Sequence, residues 1–115
     1  MPEKTVFAKI IAGQIPAQIV HRDDRVTAFR DINPQAPTHI LIVPNEPLSG
    51  AGDLTDSHGP LLVAMFAVAR KLAAAEGIAE SGYRLVINEG GHGGQTVFHL
   101  HMHLLGGRQM TWPPG

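Results

Sequence analysis

The chain has no cysteine, no excess of charge of either sign and no long apolar run in its 115 residues. The absence of cysteine excludes disulfides and zinc sites with thiolate ligands. With a net charge of −1 at pH 7 there is no basic stripe for nucleic acid or an anionic membrane. No apolar run reaches the roughly 18 residues of a membrane span, and the N-terminus lacks a signal-peptide pattern. We therefore expect a cytoplasmic protein whose partners include neither nucleic acid nor a membrane.

The remaining composition predicts one α+β domain over residues 1–115, of which 43% are hydrophobic. Thr5 can cap a short helix that ends at Gly13, and a long helix with apolar residues at helical spacing is predicted over 56–77. Strands are predicted at 18–20, 25–32, 38–43, 83–88 and 96–105. Two helices without βαβ alternation favour an antiparallel sheet. The tail 106–115 has no periodicity and is expected at the surface.

The densest chemical signal is His99, His101 and His103, which alternate with apolar residues. On a β-strand this spacing places the three rings on one face. The opposite, buried face would then consist of Phe98, Leu100, Met102 and Leu104. Histidine exchanges protons near neutral pH, so the row is a candidate active site and also a candidate metal site.

The metal interpretation meets a geometric difficulty. Zinc binds nitrogen ligands at about 2.0–2.1 Å in a tetrahedral array. His99 and His103 would lie about 13 Å apart at Cα on a strand, so three histidines in a row converge poorly. A third ligand would have to come from His39 or a carboxylate. We therefore predict neither a metal nor a cofactor, and a plain row of solvent-facing histidines is the other simple interpretation.

A glycine-rich loop at 89–95 runs directly into the histidine segment. Its four glycines allow backbone N–H groups to turn toward an anion, although hairpin loops use glycine too. It is not a Walker loop, because no Gly-Lys-Ser/Thr follows. Beside three histidines, the loop supplies what phosphoryl transfer requires, and histidine can form the covalent intermediate itself. The residues favour a metal-free mechanism through phosphohistidine.

The segment His-Leu-His-Met-His-Leu-Leu at 99–105 resembles the signature of the histidine triad (HIT) superfamily. The chain is most similar to the histidine triad nucleotide-binding branch, the purine nucleoside phosphoramidases. The matching stretches are 7–11, 31–39, 88–90, 93–97, 105–110 and 112–115. The resemblance implies a HIT-like fold, with a five-stranded antiparallel sheet and one long and one short helix. It also implies a homodimer in which two sheets join into ten strands.

The resemblance further implies hydrolysis of a P–N bond in purine nucleoside 5′-phosphoramidates, such as adenosine phosphoramidate or a lysyl-adenylate. His101 would be the nucleophile, with His99 and His39 orienting it and relaying protons. His103 would contact the phosphate or the bridging atom. The other residues that would hold the phosphate are Asn88, Gly94, Gln95 and Thr96. Asp31 would bind the ribose and Trp112 would act in substrate selectivity. The purine slot would consist of Phe7, Ile10, Ile15, Phe29, Ile32 and Leu41, each of which is also a plausible core residue.

Three residues depart from the resemblance. Thr96 stands where serine is common and keeps the hydroxyl, whereas Pro47 and Arg30 stand where histidine can occur. His103 favours hydrolysis over nucleotidyl transfer, since the transferase relatives have glutamine there. Two alternatives remain: a dinucleoside polyphosphate hydrolase, and a nucleotide- or zinc-binding adaptor without turnover.

Overall fold

Five antiparallel strands form a single sheet in the computed structural model, which describes residues 4–115. The strands are β1 (Ile19–Arg22), β2 (Val26–Arg30), β3 (Thr38–Pro44), β4 (Tyr83–Val86) and β5 (Met102–Gly106). Their order across the sheet is β1-β2-β3-β5-β4. The apolar, β-branched β3 lies at the centre, with all of its residues buried. The predicted antiparallel α+β fold is confirmed.

The side chains of β3 alternate between two apolar clusters. Ile40 and Ile42 pack under the long helix α2 (Gly59–Ala75), which contributes Met65. Leu41 and Val43 point to the other face, under the short helix α1 (Val6–Ile11). Because successive residues of a strand point to opposite faces, β3 holds α2 on one side and leaves its other side to α1 and a functional site.

Local residues determine where the two helices begin and where α2 ends. The Thr5 Oγ1 accepts a hydrogen bond from the Ala8 N–H at 3.1 Å, which caps α1. Residues 56–58 form a 3₁₀ turn, so α2 begins at Gly59 rather than at 56, with Pro60 in its first turn. Gly77, just past α2, has φ +74°, which ends the helix.

The helical stretch Asp56–Ala75 is long and apolar enough to cross a membrane by length and composition alone. The sequence analysis did not predict this, because the stretch is not an uninterrupted apolar run. In the fold it is a core helix, because Met65, Val68, Ala69, Leu72 and Ala73 pack on the sheet. Its outer face carries Val63 and Phe66, which are 68% and 45% exposed.

The prediction of a strand over 96–105 is wrong in its first half, because β5 begins only at Met102. The preceding segment bonds to a loop rather than to a neighbouring strand: the Leu100 N–H donates to the Leu48 carbonyl at 2.7 Å. His99 and His101 therefore precede the strand, and only His103 lies in it. Phe98 is 55% exposed, contrary to the buried position expected for it.

The other boundaries shift by a few residues. β2 ends at Arg30 and β4 at Val86. Gly106 is buried as the last residue of β5, so the exposed tail begins at Gly107 rather than at 106. Residues 1–3, to which the expectation about a leader segment refers, lie outside the described residues.

Candidate active site

Four histidines from three segments come together beside β3. His39 lies in β3, His103 lies in β5, and His99 and His101 lie in the segment that enters β5. The ring centroid of His103 is 5.1 Å from that of His39 and 5.0 Å from that of His101. The edge of Phe7 lies against His101, with centroids 5.0 Å apart. The rings form a contiguous chain from His39 through His103 to His101, not a row along one strand face.

Backbone groups determine which nitrogens of His39 and His103 carry the proton. The Gln35 N–H donates to His39 Nδ1 at 3.0 Å, so a neutral His39 holds its proton on Nε2. His39 Nε2 lies 2.8 Å from His103 Nδ1 and donates to it. His103 in turn holds its proton on Nε2. Two hydrogen bonds thus leave an N–H donor on the outer nitrogen of His103.

His101 has the opposite arrangement. Its Nδ1 lies 2.7 Å from the His99 carbonyl oxygen, which can only accept, so the proton is on Nδ1. The Nε2 lone pair of His101 is therefore available as a nucleophile. The His99 ring donates from Nε2 to the Pro44 carbonyl at 2.8 Å, which fixes the segment to the end of β3. A nucleophile and an N–H donor consequently stand on neighbouring rings.

Burial keeps three of these histidines neutral. Removal from water lowers the pKa of His39 and His99. It also lowers the pKa of His103 to about 4, with the charges of His101 and His39 adding to the effect and Asp31 opposing it. Neutral rings at pH 7 are the state that the hydrogen bonds require, so electrostatics and geometry agree.

A cavity of about 340 Å³ opens in front of His101 and His103. Its polar end also contains Asp31 and Thr96, and its apolar end lies between α1 and β2. The rings of Phe7 and Phe29 meet edge to face at 5.3 Å between centroids. All six residues predicted for the purine slot line this cavity: Phe7, Ile10, Ile15, Phe29, Ile32 and Leu41. Four of them are also buried core residues, whereas Ile32, 99% exposed, lies at the rim.

Asp31 lies between the cavity and the histidine chain. Its Oδ1 accepts from the Asn33 N–H at 2.8 Å, which holds the carboxylate in place. Its Oδ2 is 3.4 Å from His39 Nε2. Thr96 lines the same cavity, and its hydroxyl has no hydrogen-bond partner among residues 4–115. One carboxylate and one free hydroxyl are thus presented to a ligand.

The glycine loop differs from the expectation for Gly94 and Gln95. Their N–H groups donate to the Gly91 and Gly90 carbonyls at 3.0 Å each, so the turn itself uses the donors expected to hold a phosphate. The buried Gln95 side chain accepts from the Gly90 N–H, and it donates to the Ser49 and Val97 carbonyls. The buried Gln95 side chain therefore stabilises the conformation of the loop through these three hydrogen bonds.

Two further predicted residues lie apart from the cavity within this chain. Asn88 is half-buried at the start of the glycine loop and is not among the lining residues. Trp112 is 82% exposed in the tail, where the Arg84 guanidinium donates to the Thr111 carbonyl at 2.8 Å. The sequence did not predict that the Gln35 N–H and the Pro44 carbonyl would orient His39 and His99, because every residue type has the carbonyl, and every type but proline the N–H, in the same form.

Comparisons with known proteins agree with this architecture. The family model described as HIT domain matches residues 12–110. The purine nucleoside phosphoramidase of Escherichia coli K12 is 57% identical over 110 residues, which are 96% of this chain and 92% of that protein. A 14 kDa zinc-binding protein of Zea mays is 53% identical over 113 residues, covering 96% and 88% of the two chains.

A solved structure shows the same likeness in three dimensions. A HIT family hydrolase of Legionella pneumophila superposes with a TM-score of 0.96 at 54% identity, covering 97% of this chain and 100% of that one. The prediction of an enzyme of this family agrees with these relatives. The chain belongs to the HIT domain family.

Proposed function

We propose that this protein hydrolyses the P–N bond of purine nucleoside 5′-phosphoramidates and releases a nucleoside monophosphate and an amine. The observation that carries the proposal is the free Nε2 of His101 beside the Nε2–H of His103, at the polar end of an apolar cavity. The name of the E. coli relative supports the substrate class.

In the first step His101 Nε2 attacks phosphorus while the P–N bond to the amine breaks. The His101 ring becomes positively charged, and its Nδ1–H bond to the His99 carbonyl stabilises that charge. The leaving nitrogen takes one proton from solvent, and the proton that water gives up in the second step returns to solvent. In the second step water attacks phosphorus, gives up a proton and releases the monophosphate from His101. The protons balance over the two steps, and no cofactor is required.

The other residues bind the substrate around this centre. The His103 Nε2–H donates to a phosphate oxygen or to the bridging nitrogen, where it stabilises the charge of the transition state. The Thr96 hydroxyl adds a second donor, and Asn88 borders the same loop. Asp31 accepts hydrogen bonds from the ribose hydroxyls, and the slot between Phe7 and Phe29 takes the purine. A cavity of about 340 Å³ is within the range of small-molecule sites.

We also propose a homodimer in which two sheets join into one of ten strands. β4 is an outer strand of the sheet, so its outer edge is available for pairing. Val63 and Phe66 on α2 and Ile87 after β4 are exposed apolar residues that a partner chain would cover. The dimer would bring Trp112 of one chain toward the site of the other. Light scattering on Phe66→Glu is expected to show a monomer, with Lys71→Glu as the control that remains dimeric.

The decisive assay follows AMP release from adenosine 5′-phosphoramidate, with and without EDTA. Wild-type protein should hydrolyse the substrate equally in both conditions. His101→Ala should still bind AMP but lose at least about 1,000-fold in turnover, since the nucleophile is gone. Turnover by His101→Ala near the wild-type rate would refute the role of His101. Faster hydrolysis of diadenosine polyphosphates than of the phosphoramidate would favour the alternative hydrolase, and AMP binding without any turnover would favour an adaptor.

A further inference from the structure

The tail turns back onto the loop 31–37, because β5 ends beside the start of β3. Gly107 makes this turn with φ +90°, and a Cβ there would lie 2.9 Å from the Pro37 Cβ, so the position requires glycine. The turn brings Arg108 to the exposed Gln35. The Arg108 Nε–H donates to the Gln35 carbonyl oxygen at 3.0 Å. A charged side chain of the tail therefore contacts the loop that precedes β3.

Gln35 is held on both sides of its Cα. On one side its carbonyl oxygen accepts from Arg108, and no other group among residues 4–115 donates to that oxygen. On the other side its N–H donates to His39 Nδ1 at 3.0 Å. A charged donor forms a stronger hydrogen bond with a carbonyl than a neutral donor does. The direction of the Gln35 N–H toward His39 therefore depends on an arginine that does not line the cavity.

The neutral pair of His39 and His103 can hold its two protons in two arrangements. In the first, His39 Nε2–H donates to His103 Nδ1, and the other proton is on His103 Nε2. In the second, His103 Nδ1–H donates to His39 Nε2, the other proton is on His39 Nδ1, and His103 Nε2 has a lone pair. The second arrangement would turn the His39 Nδ1–H against the Gln35 N–H, so Gln35 selects the first.

The change from the first arrangement to the second conserves protons. One proton passes from His39 Nε2 to His103 Nδ1 along their hydrogen bond of 2.8 Å. His103 Nε2 gives one proton to solvent, and His39 Nδ1 takes one from solvent. The charge of the pair is the same before and after, but the outer nitrogen of His103 has changed from a donor into an acceptor.

We propose that Arg108 is a positioning residue: by holding Gln35, it keeps the pair in the arrangement that presents the His103 Nε2–H to the substrate. Without the guanidinium, a fraction of the molecules would turn a lone pair toward the phosphate oxygens. Only the remaining fraction would be competent, so kcat should fall in proportion while KM changes little. The effect on hydrolysis rests on the proposed function, whereas the effect on the protons of His39 does not.

Steady-state kinetics with adenosine 5′-phosphoramidate compare three arginine variants, each shown to be folded by a thermal melt. Arg108→Met should lower kcat about tenfold, as expected for one lost hydrogen bond, with KM within about twofold. Arg108→Lys can still donate to the Gln35 carbonyl and should keep at least about half of kcat. Arg22→Met is the matched control, because Arg22 is exposed on the edge strand β1 and carries the same charge. Equal kcat in Arg108→Met and Arg22→Met, or a change in KM alone, would refute the role.

Histidine NMR on the full chain distinguishes positioning from a general loss of structure. Two-bond ¹H–¹⁵N correlations separate the Nδ1–H from the Nε2–H tautomer, and His39→Gln assigns the His39 signals. The wild type and Arg22→Met should show the Nε2–H form of His39. In Arg108→Met the Nδ1–H form should appear, and the fraction that keeps Nε2–H should equal the fraction of kcat that remains.

The spectra also separate this proposal from the hydrolase assignment. They are recorded without substrate, so they test the effect of Arg108 on His39 even if the protein hydrolyses no phosphoramidate. An unchanged His39 tautomer in Arg108→Met would overturn the proposal even if kcat fell. A changed tautomer with full kcat would refute the effect on catalysis.

Discussion

The glycine loop makes a sharp prediction at Gly93. A Cβ at this position would lie 2.3 Å from the Glu89 carbonyl oxygen and 2.9 Å from the Glu89 nitrogen. Both are backbone atoms, and the Glu89 side chain is itself fixed, because its Oε1 accepts from the Gly52 N–H at 2.7 Å. Carbon and oxygen atoms in ordinary contact are about 3.3–3.6 Å apart, so Gly93→Ala must open the loop by about 1 Å.

The displacement reaches the site through a short connection. Thr96 follows Gly93 by three residues and lines the cavity, and the buried Gln95 between them joins the loop to Ser49 and Val97. A misplacement of about 1 Å costs on the order of 100-fold in rate. We expect kcat/KM for adenosine 5′-phosphoramidate to fall by about that factor. Strain from overpacking of about 1–3 kcal/mol should lower Tm by several degrees.

Gly91→Ala is the matched control. A Cβ there meets no atom within 4 Å, and Gly91 does not have a positive φ. It should retain kcat/KM within about twofold and its Tm within about 2 °C, since surface substitutions away from such contacts stay within about 0.5 kcal/mol. If steady-state kinetics and melting curves showed no difference between Gly93→Ala and Gly91→Ala, the reasoning from loop geometry would be refuted.

Three further predictions concern the core, the buried histidine and the Thr96 hydroxyl. Met65→Ala in the fully buried core should lower the free energy of unfolding by about 2–5 kcal/mol in urea titrations, with exposed Lys71→Ala near zero. Burial lowers the pKa of His99, so the unfolded chain binds more protons below pH 6.5 and stability should fall as the pH drops through that value. His99→Gln can still donate to the Pro44 carbonyl but does not titrate. In this variant the free energy of unfolding should depend on pH less steeply, by up to about 1.4 kcal/mol per pH unit. An unchanged pH dependence of stability between pH 6.5 and 5 would contradict the lowered pKa of His99. Thr96→Ser should keep most of kcat/KM and Thr96→Val should lose at least about tenfold, because only the hydroxyl matters; equal losses would point to packing instead.

The strands were predictable because local pattern determines them, whereas the apolar lining of the cavity was predicted from the family resemblance. The apolar run at Thr38–Pro44 reads as a central strand, and its alternation already separates Ile40 from Leu41 onto opposite faces. Thr5 signals the start of α1 through its side chain. The six apolar residues of the slot came from the resemblance, and the structure brings them to one cavity. Pattern and resemblance together therefore identified the elements and the apolar lining.

The geometry of the histidines was not predictable in the same way. The segment before β5 leaves the sheet because the Leu100 N–H bonds to the Leu48 carbonyl, a partner 52 positions earlier that no local pattern reveals. Likewise, the proton positions on His39 and His99 depend on the Gln35 N–H and the Pro44 carbonyl. A substitution at either residue leaves its backbone group in place, so side-chain identity contains no record of these roles.

The two-residue spacing of the histidines nevertheless has a physical reason, different from a common strand face. It lets the His101 ring bond the carbonyl of His99, two positions earlier, which places the proton on Nδ1 and frees Nε2. The alternating Leu100, Met102 and Leu104 are all buried in the core and hold the backbone that this bond requires. His103, one repeat later, is already in β5, where its Nδ1 accepts a hydrogen bond from His39 Nε2 and its own proton is therefore on Nε2. The repeat thus yields two opposite tautomers, because the chain enters the sheet between His101 and His103.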